Sequence, residues 1–372
     1  MITIQTRREF LRSIGVAASI FANGSNWHFG QSRESRTAFN LLVVGDSFIW
    51  GQGLQEKDKS YTHVANWIGD RLATTQKSLN VKVKAHSGAT IKFHKDASDA
   101  YKKAGRVETH PYPPEINIGF PSIWKQVEIA AEEYSSTGQN EGANIVLLSG
   151  GITDISVAKL LDPFGKTELL PDLIRKYCRD DMYDLLAHIS SLNTNALIVV
   201  IGYFPIISAK TPASKLFNDW LETMSFPRIL KPFANNPLTR PLIFRSVKKK
   251  AINTSELWLR ESNENLKAAI EKLNTGLGKI RAIFVPSPIT EDTCLETPNT
   301  LLFRMAKRGI PEDELFQKRK SECRTSLPEL KKSTGLNYPV RYCEIAAVGH
   351  PNPAGAKAYA DAVTAAIRPF LR

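Results

Sequence analysis

Residues 40–53 of this 372-residue chain read NLLVVGDSFIWGQG. The first five are mostly aliphatic, which is typical of a strand that is buried on both faces of a parallel sheet. Gly45 ends the apolar run, and Ser47 follows two positions later. Catalytic groups of open parallel sheets gather at the carboxyl ends of the strands. We therefore expect Ser47 to present its hydroxyl at such an edge, with its own N–H placed to stabilise a developing oxyanion.

Four more aliphatic or β-branched runs follow along the chain, and stretches with helical spacing of apolar residues lie between them. Asn352 can cap a last helix, in which Pro353 fits the first turn. This alternation predicts an α/β fold, a three-layer αβα sandwich around a central parallel sheet of about five strands. The strands are predicted at residues 40–45, 81–85, 144–149, 196–202 and 281–286, and the other helices at residues 61–73, 123–134 and 177–192.

Composition and charge limit the classes of protein that need to be considered. Hydrophobic residues make up 42% and charged residues 23% of the chain, which excludes a disordered protein. No apolar run reaches the roughly 18 residues that a membrane-spanning helix needs. The net charge of +12 lies entirely in residues 205–260 and 302–341. We interpret these segments as basic insertions, at about 204–260 and 290–342, in a single domain of residues 39–372.

The local basic charge allows contact with an anionic surface or a glycan. It is equally compatible with a solvated face that has no partner. The sequence contains no recognised nucleic-acid-binding motif, so we expect no nucleic-acid partner.

The N-terminus carries the features of an export signal. Residues 6–12 read TRREFLR, and a short apolar stretch follows at residues 14–22. Paired arginines before a short apolar run are typical of a twin-arginine-type signal peptide. We expect residues 1–38 to form this signal and an N-terminal tail, and the twin-arginine export machinery to be a partner. The mature protein is then periplasmic or extracellular. The alternative is an amphipathic helix that belongs to the fold.

The four cysteines are few for a chain of this length, and three of them lie in its C-terminal third. Disulfides can form in an exported protein. We expect one bridge among Cys294, Cys323 and Cys343, and the sequence leaves the pairing open. No Cys-x-x-Cys or His-x-x-x-His spacing occurs, so no metal site is predicted.

His350 stands just before the predicted last helix. The loop after the fifth strand and the turn after the first strand open onto the same edge of the sheet. We therefore expect His350 and Ser47 to converge, although about three hundred positions separate them in sequence. A serine hydroxyl beside an imidazole is the arrangement that a nucleophile and its general base require.

At these residues the chain resembles the SGNH (GDSL) hydrolase family of esterases and lipases. The resemblance runs from residue 40 to the end of the chain, through short motifs that occur in the family's order. It implies that Ser47 is the nucleophile and His350 the base. It also implies that Ser47, Gly88 and Thr153 form the oxyanion hole. The matching motifs are GDS at residues 45–47, AHSG at 85–88, GITD at 151–154 and HP at 350–351.

The chain departs from the family's pattern at two positions. Thr153 stands where the family has an asparagine, and a hydroxyl reaches less far than an amide. Ala347, three residues before His350, stands where the family usually has the aspartate that orients the base. A Ser–His dyad held by a backbone carbonyl is one alternative to a carboxylate. The candidates for a carboxylate are Glu344 on the same loop and Asp292 or Glu291 after the fifth strand.

These residues predict a serine hydrolase that cleaves carboxylic esters, of a lipid or a small acyl group, through an acyl-enzyme. This chemistry needs no metal and no organic cofactor. An acyltransferase or deacetylase that acts on a glycan would use the same residues. A third reading is a degenerate SGNH domain without catalysis that binds an anionic polymer of the cell envelope.

Overall fold

The computed structural model describes residues 38–73, 77–109, 112–139, 141–156, 160, 167–212, 240–306 and 309–371, with the side chains of residues 240–244 left out. The predicted signal segment lies outside these residues, as does the middle of the first predicted insertion. Within the described part of the chain, no helix is both long and apolar enough to cross a membrane.

Five parallel strands form one sheet in the order β2-β1-β3-β4-β5, which confirms the predicted sheet and is the flavodoxin-like order. The pairing of Val43 with Val83 and of Val44 with Leu148 aligns the carboxyl ends of the first three strands. The strands are β1 Ala38–Val44, β2 Ser78–Val83, β3 Ile145–Leu148, β4 Leu197–Ile201 and β5 Ala282–Val285.

Helices cover both faces of the sheet. A π-helical segment, Lys176–Asp181, joins α6 to α7, and short 3₁₀ turns occupy Glu56–Asp58 and Arg368–Phe370. The α-helices are α1 Ser47–Trp50, α2 Ser60–Leu72, α3 Lys95–Lys103, α4 Ile123–Ser136, α5 Ile152–Ile155, α6 Leu170–Arg175, α7 Met182–Leu192, α8 Arg240–Leu277, α9 Phe316–Thr334, α10 Val340–Glu344 and α11 Pro353–Ile367.

Successive residues of each central strand pack into two separate cores, because strand side chains alternate between the faces. Leu42 and Val44 join the core that α4, α7 and α8 cover. Leu41 and Val43 join the core that α2 and α11 cover. The three layers of the predicted αβα sandwich are therefore present, and the sheet edge between them carries the candidate site.

The two basic segments differ from the predicted surface insertions. Residues 240–260 form the first part of α8, in which Val247, Ala251 and Trp258 are buried against the sheet. Their spacing gives α8 an apolar stripe, while Lys249 stays exposed on the outside. The second segment contributes α9, whose Arg319 is fully buried. Basic composition alone did not distinguish a helix with one buried face from a surface excursion.

A disulfide joins Cys323 in α9 to Cys343 in α10. The expectation of one bridge among the three C-terminal cysteines is confirmed. Cys294 is buried and free. The bridge closes a loop of 20 residues and ties α9 to the short helix that leads into the loop of His350.

Candidate active site

The turn after β1 is fixed by Asp46, which caps α1. One carboxylate oxygen accepts hydrogen bonds from the Phe48 N–H at 3.1 Å and the Ser149 hydroxyl at 2.6 Å. Burial of this carboxyl raises its pKa to about 6. Gly45 before it has a φ of +145°, and a Cβ there would lie 2.5 Å from the carbonyl oxygen of Ser149. The backbone is therefore held where it presents Ser47 at the sheet edge.

Ser47 and His350 meet at this edge. The Oγ atom of Ser47 lies 2.8 Å from Nε2 of His350, although 303 positions separate the two residues. At this distance a neutral imidazole with its proton on Nδ1 accepts the hydroxyl proton at Nε2. The structure thus brings together the two residues that the sequence analysis paired.

Backbone contacts hold His350 in place. Its carbonyl accepts from the Phe303 N–H at 2.8 Å, and its own N–H donates to Ala347 at 2.9 Å. Asn352 caps α11 directly behind it, with Oδ1 accepting from the Gly355 N–H at 3.0 Å. The start of the last helix and residues 302–303 together position the imidazole.

No carboxylate orients this imidazole within the described part of the chain. Nδ1 of His350 is buried and makes no hydrogen bond of standard geometry to a described residue. The carbonyls of Ala346, Ala347 and Val348 are the groups that favour its protonated form. The arrangement corresponds to the Ser–His dyad that the sequence analysis gave as an alternative to a triad.

Two of the predicted orienting acids form ion pairs with other residues. Glu344 is buried and accepts from Arg324 and Arg341. Asp292 pairs with Lys210 at the surface. The backbone carbonyl of Glu291 accepts from the Ser208 hydroxyl. Among the described residues, Glu344 and Asp292 are thus paired with arginine and lysine side chains, and no carboxylate is hydrogen-bonded to Nδ1 of His350.

Burial, together with the positive charge of Arg319, lowers the pKa of His350 to about 4. Arg319 donates to both carboxylate oxygens of Asp313, at 2.9 and 2.7 Å, and to Glu115 at 3.1 Å. Neither this buried cluster nor its electrostatic effect on the imidazole is indicated by any motif in the sequence. The imidazole is consequently neutral near pH 7, which is the form that can accept a proton.

The remaining predicted residues lie along the same sheet edge. Gly88 follows β2 with a φ of +80°, and its N–H makes no hydrogen bond to a described residue. The N–H of Ser47 is likewise uncommitted among those residues. Thr153 in α5 lines the same pocket as Gly88. Two N–H groups and one hydroxyl are thus available as donors at this edge.

The buried Asp154 joins α5 to the loop after β2. Its two carboxylate oxygens accept from the Ile91 N–H at 3.2 and 3.1 Å. Burial raises the pKa of this carboxyl. The contact fixes Thr153, its neighbour in sequence, relative to the segment that carries Gly88.

The pocket that contains Gly88 and Thr153 has a volume of about 380 Å³. Its wall is largely apolar, and its polar groups belong to Gly88, Thr153 and Asn117 and to Thr90, His94 and Asp96. Its apolar side chains include Phe93, Ile118, Leu336 and Tyr338. Among the described residues, no group of three or more His, Cys, Asp or Glu side chains is placed to hold a metal ion.

No protein-family model and no curated protein sequence matches this chain. Among solved structures it is similar to the lipase Lip_vut3 from a goat rumen metagenome, with 13% identity, 90% of this chain and 100% of that chain covered, and a TM-score of 0.41. It is also similar to an extracellular lipase from Streptomyces rimosus, with 13% identity, coverage of 88% and 99%, and a TM-score of 0.41. A family 3 carbohydrate esterase from Clostridium thermocellum shares 12% identity, with coverage of 90% and 98% and a TM-score of 0.36.

Proposed function

We propose that this protein is a serine hydrolase that cleaves carboxylic esters through a Ser47–His350 dyad. The observation that carries the proposal is the 2.8 Å contact between the Ser47 hydroxyl and Nε2 of His350. The lowered pKa of His350 supports it, because a general base must be unprotonated at the working pH. This contact also favours a catalytic protein over a degenerate binding domain, which would have no need to keep it.

The proposed reaction has two halves. Nε2 of His350 takes the proton of Ser47 as Oγ attacks the ester carbonyl, and the N–H groups of Ser47 and Gly88 stabilise the oxyanion. His350 then gives the proton to the departing alcohol, which leaves an acyl-enzyme. In the second half His350 removes a proton from water, the hydroxide attacks the acyl group, and the protonated imidazole returns the proton to Oγ as the acid leaves.

We further propose that the acyl group is short. The pocket of about 380 Å³ beside Gly88 and Thr153 is near the lower end of the range of small-molecule sites, which runs from about 300 to 1,000 Å³. The apolar part of its wall fits an acyl chain. A deacetylase or an acyltransferase acting on a glycan would use the same donors and the same dyad. Product analysis with and without a sugar acceptor separates hydrolysis from acyl transfer.

Ester turnover tests the proposal. The wild-type protein should hydrolyse p-nitrophenyl acetate and butyrate, and Ser47→Ala and His350→Ala should each lower kcat by at least about 10³-fold, because each removes half of the dyad. Ser191→Ala is the matched control, since Ser191 is an exposed residue of α7 whose hydroxyl donates to the His188 carbonyl. A folded wild-type protein without turnover would favour the alternative in which the domain binds an envelope polymer.

We also propose that the protein is exported, to the periplasm or the extracellular space, by the twin-arginine machinery. The paired arginines Arg7 and Arg8 support this, and so does the Cys323–Cys343 bridge, because disulfides persist in oxidising compartments. Replacing Arg7 and Arg8 by lysine should retain the protein inside the cell, as cell fractionation would show. Unchanged export of that variant would contradict the proposed route.

A further inference from the structure

Of the three predicted donors to the oxyanion, the hydroxyl of Thr153 reaches the least far. Thr153 stands where the resemblance places an asparagine, and its hydroxyl is shorter than an amide. We propose that Asn117, on the loop before α4, supplies the missing side-chain N–H and donates it to the oxyanion beside the N–H groups of Ser47 and Gly88. This inference rests on the proposed ester hydrolysis and names one more residue for it.

Asn117 lies against Gly88. A Cβ atom added to Gly88 would overlap Oδ1 of Asn117 and would lie 2.5 Å from the Ile118 nitrogen. Asn117, Gly88 and Thr153 also line one pocket. The amide therefore occupies the space beside the two oxyanion-hole positions that follow β2 and β3.

The backbone around Asn117 is anchored to the segment that carries Gly88. The Ile118 N–H donates to the Ser87 carbonyl at 3.2 Å, and the Ser87 N–H donates to Pro114 at 2.9 Å. Ile116 and Ile118 on either side of Asn117 are buried in the core. These contacts hold the chain on both sides of Asn117 and leave its side chain at the pocket.

The amide of Asn117 is uncommitted. Its side chain is half-buried and has no hydrogen-bond partner among the described residues. A half-turn of the amide exchanges Oδ1 and Nδ2 and breaks no hydrogen bond within those ranges. Nδ2 is thus free to donate when negative charge develops on the carbonyl oxygen.

The kinetics of variants at two positions test this assignment. Asn117→Ala should lower kcat for p-nitrophenyl acetate by about 10² with little change in KM, because the donor acts on the charge of the transition state. Asn117→Asp keeps the shape and removes the donor, so it should lower kcat at least as much. Adding Thr153→Asn to Asn117→Ala should restore part of the lost kcat, because residue 153 then supplies an amide donor.

Asn265→Ala is the control, since Asn265 is a half-buried asparagine of α8 whose amide donates to the Glu261 carbonyl. Circular dichroism checks that each variant is folded. An active wild-type protein whose Asn117→Ala and Asn117→Asp variants keep kcat within about twofold would overturn this inference alone. A folded wild-type protein without ester turnover would overturn the proposed function and the inference together.

Discussion

The imidazole of His350 works in an unusual electrostatic setting. Where a triad has a carboxylate, Ala347 has only a methyl group. The charge that shifts the pKa of His350 is instead the buried guanidinium of Arg319. Asp313 and Glu115 both pair with that guanidinium, so its charge is compensated within the buried cluster. The balance explains how Arg319 can be buried near a base without blocking it, since its main effect is to disfavour the imidazolium form.

The pH dependence of the reaction follows from this setting. Only the neutral imidazole accepts the Ser47 proton, and a pKa lowered to about 4 keeps His350 neutral down to about pH 5. We expect kcat/KM to rise through an apparent pKa of about 4 and to stay level toward pH 7. Circular dichroism over the same range separates titration from acid unfolding. A midpoint near 6.5, the ordinary value for histidine, would contradict this account.

At the scale of elements, the site is assembled from chain segments that the sheet brings to one edge. Ser47 lies directly after β1, Gly88 lies in the segment after β2, and Thr153 lies in α5 after β3. His350 comes from the loop between α10 and α11, and α10 is tied to α9 by the Cys323–Cys343 bridge. The bridge therefore stabilises the segment that leads to the base.

Removing this disulfide should lower the free energy of unfolding. We expect the double variant Cys323→Ser, Cys343→Ser to lose about 3 kcal/mol of unfolding free energy, because the bridge restricts a loop of 20 residues in the unfolded chain. Chemical denaturation with and without a reducing agent measures it. Reductant should shift the wild-type midpoint to that of the double variant and leave the double variant unchanged. A wild-type midpoint that does not respond to reductant would contradict the expectation.

For the molecule as a whole, the parallel sheet could be anticipated because buried strands leave a local signal, such as the apolar run before Gly45. Ser47 and His350 could be paired because each stands next to a predicted element whose end faces the same edge. The cluster of Arg319 with Asp313 and Glu115 could not, because it depends on contacts between distant segments. Asn117 has no motif around it, so only the contact of its amide with Gly88 draws attention to it.

The burial of residues in the two basic segments could not be predicted from the sequence either. Charge counts indicated surface insertions, yet Trp258 and Arg319 are buried. Trp258 belongs to an apolar stripe whose neighbours on the outer face are basic. Arg319 is buried because two carboxylates compensate its charge, a pairing that composition cannot reveal.

The most direct test of the central claim is covalent labelling with a fluorophosphonate, followed by mass mapping of the modified peptide. The folded wild-type protein should gain a single adduct on Ser47, Ser47→Ala should gain none, and His350→Ala should react far more slowly, because Oγ then lacks a base within 2.8 Å. An unlabelled wild-type protein, or an adduct that persists in Ser47→Ala, would contradict the assignment of Ser47 as a nucleophile activated by His350.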